Sequence, residues 1–370
     1  MGKLLKNTHF FLLPLSFFYG IGVGVRNWLF NAGFLRSQKY EIPIISVGNI
    51  TVGGTGKTPH AEYLLSLLGL SYKVALLSRG YKRKTEKFIL ADDSSSSQTI
   101  GDEPFQIKQK YPNVLVAVDG NRRNGIEQLL NLPKETRPEI IILDDAYQHR
   151  YVEPGINILL INYNRLISQD SLLPAGRLRE PARNKDRANI VIITKCPDNA
   201  KPMDFRLVMK NLNLYPYQNL YFTKYEYGDI KPVFPEELAA TSKTYSITPD
   251  TNILLVTGIV SDSELLQYLQ SFTKNVQALK YPDHHYFSNN DLLHISRKFG
   301  KLEGDDRIIL VTEKDAARLL DNPMINNELK SHIYSIPIKV SFLLDQEKSF
   351  NHQILDYVRK NQTNHRVSTR

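Results

Sequence analysis

Cysteine is all but missing here: Cys196 is the only one in 370 residues. That excludes an intramolecular disulfide and any multi-cysteine metal site, and it fits a reducing compartment. Acidic residues are also in deficit, 38 Asp and Glu against 47 Lys and Arg. The net charge of +9 favours an anionic partner: nucleic acid, a membrane surface or a phosphorylated substrate. Charge alone does not choose among these. No internal repeat stands out. An unbroken apolar stretch is lacking too. The uncharged run from Asn7 to Val25 is just long enough to span a bilayer, but Pro14, Ser16, Gly20, Gly22 and Gly24 interrupt it. No A-x-A-like cleavage site marks it as a secretory signal. With Lys3 and Lys6 before it and Arg26 and Trp28 after it, the run is expected to form an interfacial helix. A true span and a helix buried in the core are the alternatives.

What is present is an ordinary globular composition, 42% hydrophobic and 23% charged, long enough for two domains. Short apolar runs alternate with amphipathic stretches: Ile42–Val47, Lys73–Ser78, Val114–Val118, Ile140–Asp145, Ile156–Ile161 and Ile190–Ile193 read as strands. Several are apolar throughout, which predicts an α/β fold with a parallel sheet covered by helices on both faces. Ala91–Thr99, with four successive serines, reads as a mobile surface loop. From about Leu212 the texture becomes rich in Tyr and Pro, and a second strand–helix series follows. The expected organisation is an N-terminal apolar segment (1–35), a nucleotide-binding unit (36–215) and a smaller α/β domain (216–370) closing over it. The polar end from Arg359 is expected to fray.

The stretch Val47–Pro59, VGNITVGGTGKTP, lies between an apolar strand and an amphipathic helix. Glycine-rich loops of this kind wrap backbone N–H groups around phosphate at a helix N-terminus. Thr51, Val52, Gly53, Gly54, Thr55, Gly56, Lys57 and Thr58 are therefore candidate phosphate ligands. Lys57 would reach the β- and γ-phosphates, and the Thr58 hydroxyl would ligate Mg²⁺. The loop departs from G-x-x-x-x-G-K-[ST] in having Thr51 at the first glycine position. Ile140–Asp145 has the form of a Walker B strand, delivering Asp144 or Asp145 to the sheet edge where ligands bind. Arg150, just beyond, is a candidate for phosphate oxygens. Thr194-Lys195-Cys196-Pro197-Asp198 is distantly like a guanine-reading loop, too distantly to choose GTP over ATP. Tyr281-Pro282-Asp283-His284-His285 suits a proton relay, a metal pair lacking a third ligand, or a structural turn.

Together these motifs resemble those of the tetraacyldisaccharide 4′-kinase family, the lipid A 4′-kinases of Gram-negative bacteria. The matching pieces are LPLSFFYG (Leu13–Gly20), the P-loop, SRGY, GDEP, DDAYQHR, LPAGRLREP (Leu173–Pro181), YPDHHYF (Tyr281–Phe287) and TEKDA (Thr312–Ala316). Ala146 and Tyr147, Arg177 and Tyr281 depart from the family's usual D-D-G-F-Q-H-R, G-P-L-R-E-P and F-x-D-H. None of these changes removes a titratable or phosphate-binding group. The resemblance implies transfer of the ATP γ-phosphate to the 4′-hydroxyl of an acylated glucosamine disaccharide 1-phosphate, forming lipid IVA. It implies Asp102 as the base, polarised by His284, and Glu180 with Asp144 and Asp145 at a Mg²⁺ site. It implies work at the cytoplasmic face of the inner membrane, with no nucleic acid and no obligate protein partner. Two rivals are a P-loop kinase of another, soluble substrate and a membrane-associated P-loop ATPase switch, which would need no acceptor base.

Overall fold

In a computed structural model the protein is described over residues 2–81, 83–237, 244–259 and 262–368, with side chains from 11 to 361. A single helix, α1 (Gly2–Asn31), opens the chain and carries Pro14 inside it. The β-branched runs then become strands: β1 (Ile44–Gly48), β2 (Val74–Ser78), β3 (Ile89–Leu90), β4 (Leu115–Val118) and β5 (Ile140–Asp144). β6 (Ile156–Asn162), β7 (Ile190–Thr194) and β8 (Asn219–Tyr227) come next. Between them lie α2 (Lys57–Leu68), α3 (Ser97–Ile100), α4 (Asp102–Lys110), α5 (Arg122–Leu130) and α6 (Pro202–Leu212). The second series is β9 (Lys231–Pro232), β10 (Asn252–Thr257), α7 (Ser263–Gln270), β11 (Val276–Lys280), α8 (Asn289–Phe299), β12 (Arg307–Thr312) and α9 (Glu313–Leu320). The chain ends with α10 (Asn327–Lys330), β13 (Ile333–Ile336), β14 (Ile338–Phe342) and α11 (Glu347–Ser368).

Among the described residues these strands make two sheets. The larger has nine strands in the order β14-β8-β7-β6-β1-β5-β2-β4-β3, and the smaller has five in the order β11-β10-β12-β13-β9. The large sheet is parallel except at its edges, where β3 and β14 run antiparallel to their neighbours. Alternation along each strand feeds both faces. Ile45 and Val47 pack under Ala61, Leu64, Leu65 and Leu68 of α2, while Ile44, Ala75 and Leu77 pack under Ile126 and Leu129 of α5. Because both faces are covered, the strands are apolar at nearly every position. In the centre of this sheet β1 and β5 are parallel neighbours with Val47 opposite Asp144, so the loop leaving β1 and the acids ending β5 emerge side by side.

Three expectations need correction. The sheets do not divide the chain at residue 216. β8 pairs in parallel with β7 in the large sheet, and β14 returns to pair antiparallel with β8 from Tyr227–Ile338 to Thr223–Phe342. α11 then packs Phe350, Ile354 and Val358 into the α2 side of the core, so the small sheet is an excursion between β8 and β14. The serine run is not all loop. Ser96 caps α3, and the Ser97 backbone N–H and hydroxyl both donate to Asp321 on the other unit (3.1 and 2.8 Å). Residues 359–368 continue α11 instead of fraying, and 369–370 lie outside the described residues.

Candidate active site

The loop after β1 is shaped by glycine where glycine is required. Gly53 (φ 108°) and Gly56 (φ 86°) lie in the left-handed region, and a side chain at Gly56 would collide with the Tyr225 ring. The loop is pinned from two sides. The Thr194 hydroxyl donates to the Thr55 carbonyl (2.9 Å), and the Asn49 amide donates to the Thr55 hydroxyl (2.6 Å). Val52 N–H donates to the Arg177 carbonyl (2.8 Å) and Arg179 N–H to the Ile50 carbonyl (2.7 Å), so LPAGRLREP runs alongside the P-loop. Lys57 and Thr58 stand in the first turn of α2, and Gly56 is its N-cap.

Lys57 Nζ pairs with Asp145 Oδ1 at 3.6 Å, and Arg179 pairs with the same carboxylate at 3.4 Å. Asp144 is fully buried. Its Oδ2 accepts from the Ser78 hydroxyl (3.1 Å), and its Oδ1 has no partner. Burial, reinforced by the charges of Glu103 and Asp145, pushes its carboxyl up to about 7. Glu180, also buried, is bound to Arg187 (2.5 Å) and Asn184 (3.0 Å) through Oε2, while Oε1 has no partner. A cavity of about 350 Å³ gathers Asp144, Asp145, Glu180, Glu103, Arg79 and Arg179, with Tyr19 and Arg26 of α1 also in its wall. A larger cavity of about 780 Å³ lies on the other side of the P-loop, lined by Lys195, Asp198, Tyr225, Tyr227 and Glu264 among others.

Asp102, the first residue of α4, meets His284 across the two sheets, with His284 Nδ1 3.0 Å from Asp102 Oδ2. His284 (φ 60°) and Asp145 (φ 48°) hold left-handed backbone without being glycine, as does Lys195 (φ 58°) in the wall of the larger cavity. Such conformations cost roughly 1 kcal/mol or more and tend to gather at functional sites. Two further side chains reach the pair: Arg318 donates to Asp102 (2.8 and 2.9 Å), and Lys314 lies 3.1 Å from His284 Nε2. The TEKDA run contains Lys314, but nothing local in the sequence joins it or Arg318 to Asp102.

Arg150 does not face phosphate. It donates to the Asn27 carbonyl (3.0 Å) and the Asn31 side chain (2.7 Å), with its guanidinium over the Phe30 ring (4.8 Å), so it fastens α1 to the body. Other ties to α1 recur at helical spacing. The Ser16 hydroxyl donates to the Leu172 carbonyl (3.0 Å), the Tyr19 hydroxyl to the Arg179 carbonyl (2.8 Å) and Arg26 to the Gln148 carbonyl (3.0 Å). Away from this seam, Phe11, Phe17, Phe18, Ile21, Val25 and Trp28 are exposed. No helix of the described residues is long and apolar enough to cross a membrane.

Residues 8–359 match the family of tetraacyldisaccharide-1-P 4′-kinases. A tetraacyldisaccharide 4′-kinase from Bacteroides thetaiotaomicron is 50% identical over 367 residues, covering 98% of this chain and 96% of its own. One from Phocaeicola vulgatus is 53% identical over 367 residues, covering 99% and 100%. The crystal structure of LpxK from Aquifex aeolicus in complex with ATP superposes with a TM-score of 0.73 at 26% identity, covering 95% of this chain and 99% of that one.

Proposed function

The chain belongs to the tetraacyldisaccharide 4′-kinase family, and from that premise we propose how its residues perform the transfer. It is an ATP-dependent kinase acting on tetraacyldisaccharide 1-phosphate. The P-loop amides from Thr51 to Gly56 would hold the ATP phosphates, with Lys57 released from Asp145 to meet them. The 780 Å³ cavity behind Lys195 and Tyr225 has room for the nucleoside.

The carrying observation is the Asp102–His284 contact. Glu103, one residue on from Asp102, lines the cavity that holds Asp144 and Asp145, so the first turn of α4 faces the phosphate-transfer region. A sugar hydroxyl is a weak nucleophile at neutral pH. Asp102 would accept its proton and orient its oxygen toward the γ-phosphorus, and His284 would hold the carboxylate in place. The rival switch ATPase would have no use for that pair.

The acids suit Mg²⁺, a hard cation that takes oxygen ligands and keeps several from phosphate and water. Asp144 Oδ1 is a buried oxygen with no partner, as a ligand position requires. Asp144, Asp145 and Thr58 would hold the ion. Glu180, already paired with Arg187, would support them from behind. When bound, the ion neutralises charge on the transferring phosphate. Among the described residues no three His, Cys, Asp or Glu side chains converge to hold a metal, so nucleotide oxygens would complete its shell.

The substrate carries acyl chains, and the exposed aromatic side of α1 is suited to lying at a membrane surface, the cytoplasmic face of the inner membrane, with Tyr19 and Arg26 leading into the 350 Å³ cavity. The small-sheet unit would close the other side of the cleft. Incubation with γ-labelled ATP, with and without the acylated disaccharide 1-phosphate, tests the whole reading. Label in the lipid is expected from the wild type and none from Lys57→Ala. Label released only as free phosphate would support the switch ATPase instead.

A further inference from the structure

Proton transfer to Asp102 leaves one feature unexplained: two cations from the small-sheet unit are built onto the pair. Arg318, at the end of α9, is 2% exposed. Its Nε and Nη2 donate to Asp102 Oδ2 (2.9 and 2.8 Å), and its Nη1 donates to Asp315 Oδ1 (2.7 Å) and to the Gly258 carbonyl (3.2 Å). Asp315 is itself fully buried and is held by the Thr312 hydroxyl (2.7 Å) and the Gly258 N–H (3.0 Å). A buried guanidinium gripped this way has one orientation, and its free fork edge points at the other unit's carboxylate.

Lys314 sits one turn earlier on α9. Its Nζ is 3.1 Å from His284 Nε2 and 3.3 Å from Asp283. An ammonium only donates, so Nε2 must be the unprotonated nitrogen of the neutral ring. Arg318 Nη2 also lies 3.4 Å from Nδ1, but the shorter 3.0 Å contact of Nδ1 is to the Asp102 carboxylate, and it places the proton on that nitrogen. Three donors therefore converge on Asp102 Oδ2, and none of them reaches Oδ1.

We infer that Arg318 and Lys314 are positioning residues for the phosphoryl transfer. Arg318 fixes Asp102 by Oδ2 so that Oδ1 is presented to the acceptor hydroxyl, and Lys314 fixes His284 in the tautomer that donates to Asp102. This rests on the reading of Asp102 as the group that receives the hydroxyl proton. Burial raises the Asp102 carboxyl, but the His284 bond and the Arg318 guanidinium outweigh it and hold the group below the usual carboxylate range. Asp102 therefore stays ionised at neutral pH and acts by orienting the hydroxyl more than by pulling strongly on its proton. In a loose transition state proton removal comes late, so orientation is the larger contribution. The charged or titratable groups around the pair are Glu103 on α4, Tyr81 after β2, Asp283 before His284, and Lys314, Asp315 and Arg318 on α9.

The test uses the full chain in detergent micelles with the acylated disaccharide 1-phosphate, measuring kcat, KM for ATP and the pH profile of kcat. The variants are Arg318→Gln, Lys314→Met and, as reference, Asp102→Asn. Because Arg318→Gln leaves Asp315 as an unpaired buried charge, the double variant Asp315→Asn/Arg318→Gln is made alongside it. Both Arg318 variants and Lys314→Met are expected to lose roughly ten- to a hundredfold in kcat with KM for ATP nearly unchanged. Without the guanidinium, the acid limb of the profile should move to higher pH. A folded double variant with wild-type kcat would overturn the inference. So would a loss confined to KM, or a loss of kcat with the acid limb unmoved, which would mark Arg318 as structural only. Wild-type turnover in Asp102→Asn would instead remove the underlying assignment of the base.

Discussion

His60 shows how a single side chain can govern the phosphate loop without touching phosphate. It lies one turn into α2, fully buried, with Nδ1 2.7 Å from the Gly56 carbonyl and Nε2 3.0 Å from the Thr223 hydroxyl. A carbonyl only accepts, so Nδ1 carries the proton and the neutral ring accepts from Thr223. Burial lowers its pKa to about 4, against a partial upward pull from the Gly56 bond. The unfolded chain binds a proton below about pH 6.5, whereas the folded chain resists until about pH 4. Stability from this group is thus present above 6.5 and is lost as pH falls toward 4, by about 2 kcal/mol between pH 7.5 and 5. Urea unfolding at those two pH values checks this. His60→Gln should be less stable at pH 7.5 but should lose correspondingly less on acidification. An identical loss in both proteins would assign the acid sensitivity to other groups. At this scale the sequence was informative wherever a function is packed into consecutive residues. Gly53 to Thr58 and Asp144 could be picked out because loop, helix start and strand end are adjacent along the chain. His60, Lys314 and Arg318 could not, because their partners lie up to 216 residues away and only packing supplies them.

At the scale of the element, α1 is the helix the sequence led one to expect, running from Gly2 to Asn31. The glycines and Pro14 that interrupt its apolar run do not break the helix. The reason is tertiary: Ser16, Tyr19, Arg26 and Phe30 tie one side of it to LPAGRLREP and to Gln148–Tyr151, which outweighs weak local propensity. The other side is left with aromatic rings facing out. Phe17, Phe18 and Trp28 each offer about 1.5–3 kcal/mol on full transfer from water to an apolar phase. Replacing all three with Ser should weaken cosedimentation with anionic phospholipid vesicles by roughly tenfold or more and reduce lipid turnover, while ATP binding is unchanged. Unchanged sedimentation would shift the attachment to the net positive charge, and added salt would then release the protein.

For the whole molecule, the large sheet was legible and the division of the chain was not. Apolar strands alternating with helices identify a parallel sheet at once, but β14 is separated from β8 by the whole small unit, so no local signal could have paired them. The Tyr-rich stretch that suggested a boundary is instead β8, a strand of the large sheet whose Tyr221 packs on Phe342 and Phe350 from the returning chain. Excising residues 229–336 and joining the ends with a short glycine linker should leave a protein that folds and still holds the triphosphate at the P-loop. ATP should bind more weakly because Glu264 and Tyr268 leave the nucleoside cavity, and transfer to lipid should be abolished because His284, Lys314 and Arg318 leave together. Nucleotide binding by calorimetry and a lipid labelling assay check the two halves of that statement. Complete loss of ATP binding would show that the small unit is needed to form the nucleotide site.

The pairing of Tyr227 with Ile338 also bears on how the fold assembles. To the nine-stranded sheet, everything between those two residues is topologically the loop of a β-hairpin. An unstructured loop of that length would cost the ladder entropy that grows with the logarithm of its length. A loop that folds by itself, with its two ends held adjacent, brings β8 and β14 together already aligned. A small unit that formed first would thereby act as an internal clasp, delivering the last strand and α11 to their places and closing the edge of the sheet without a long search.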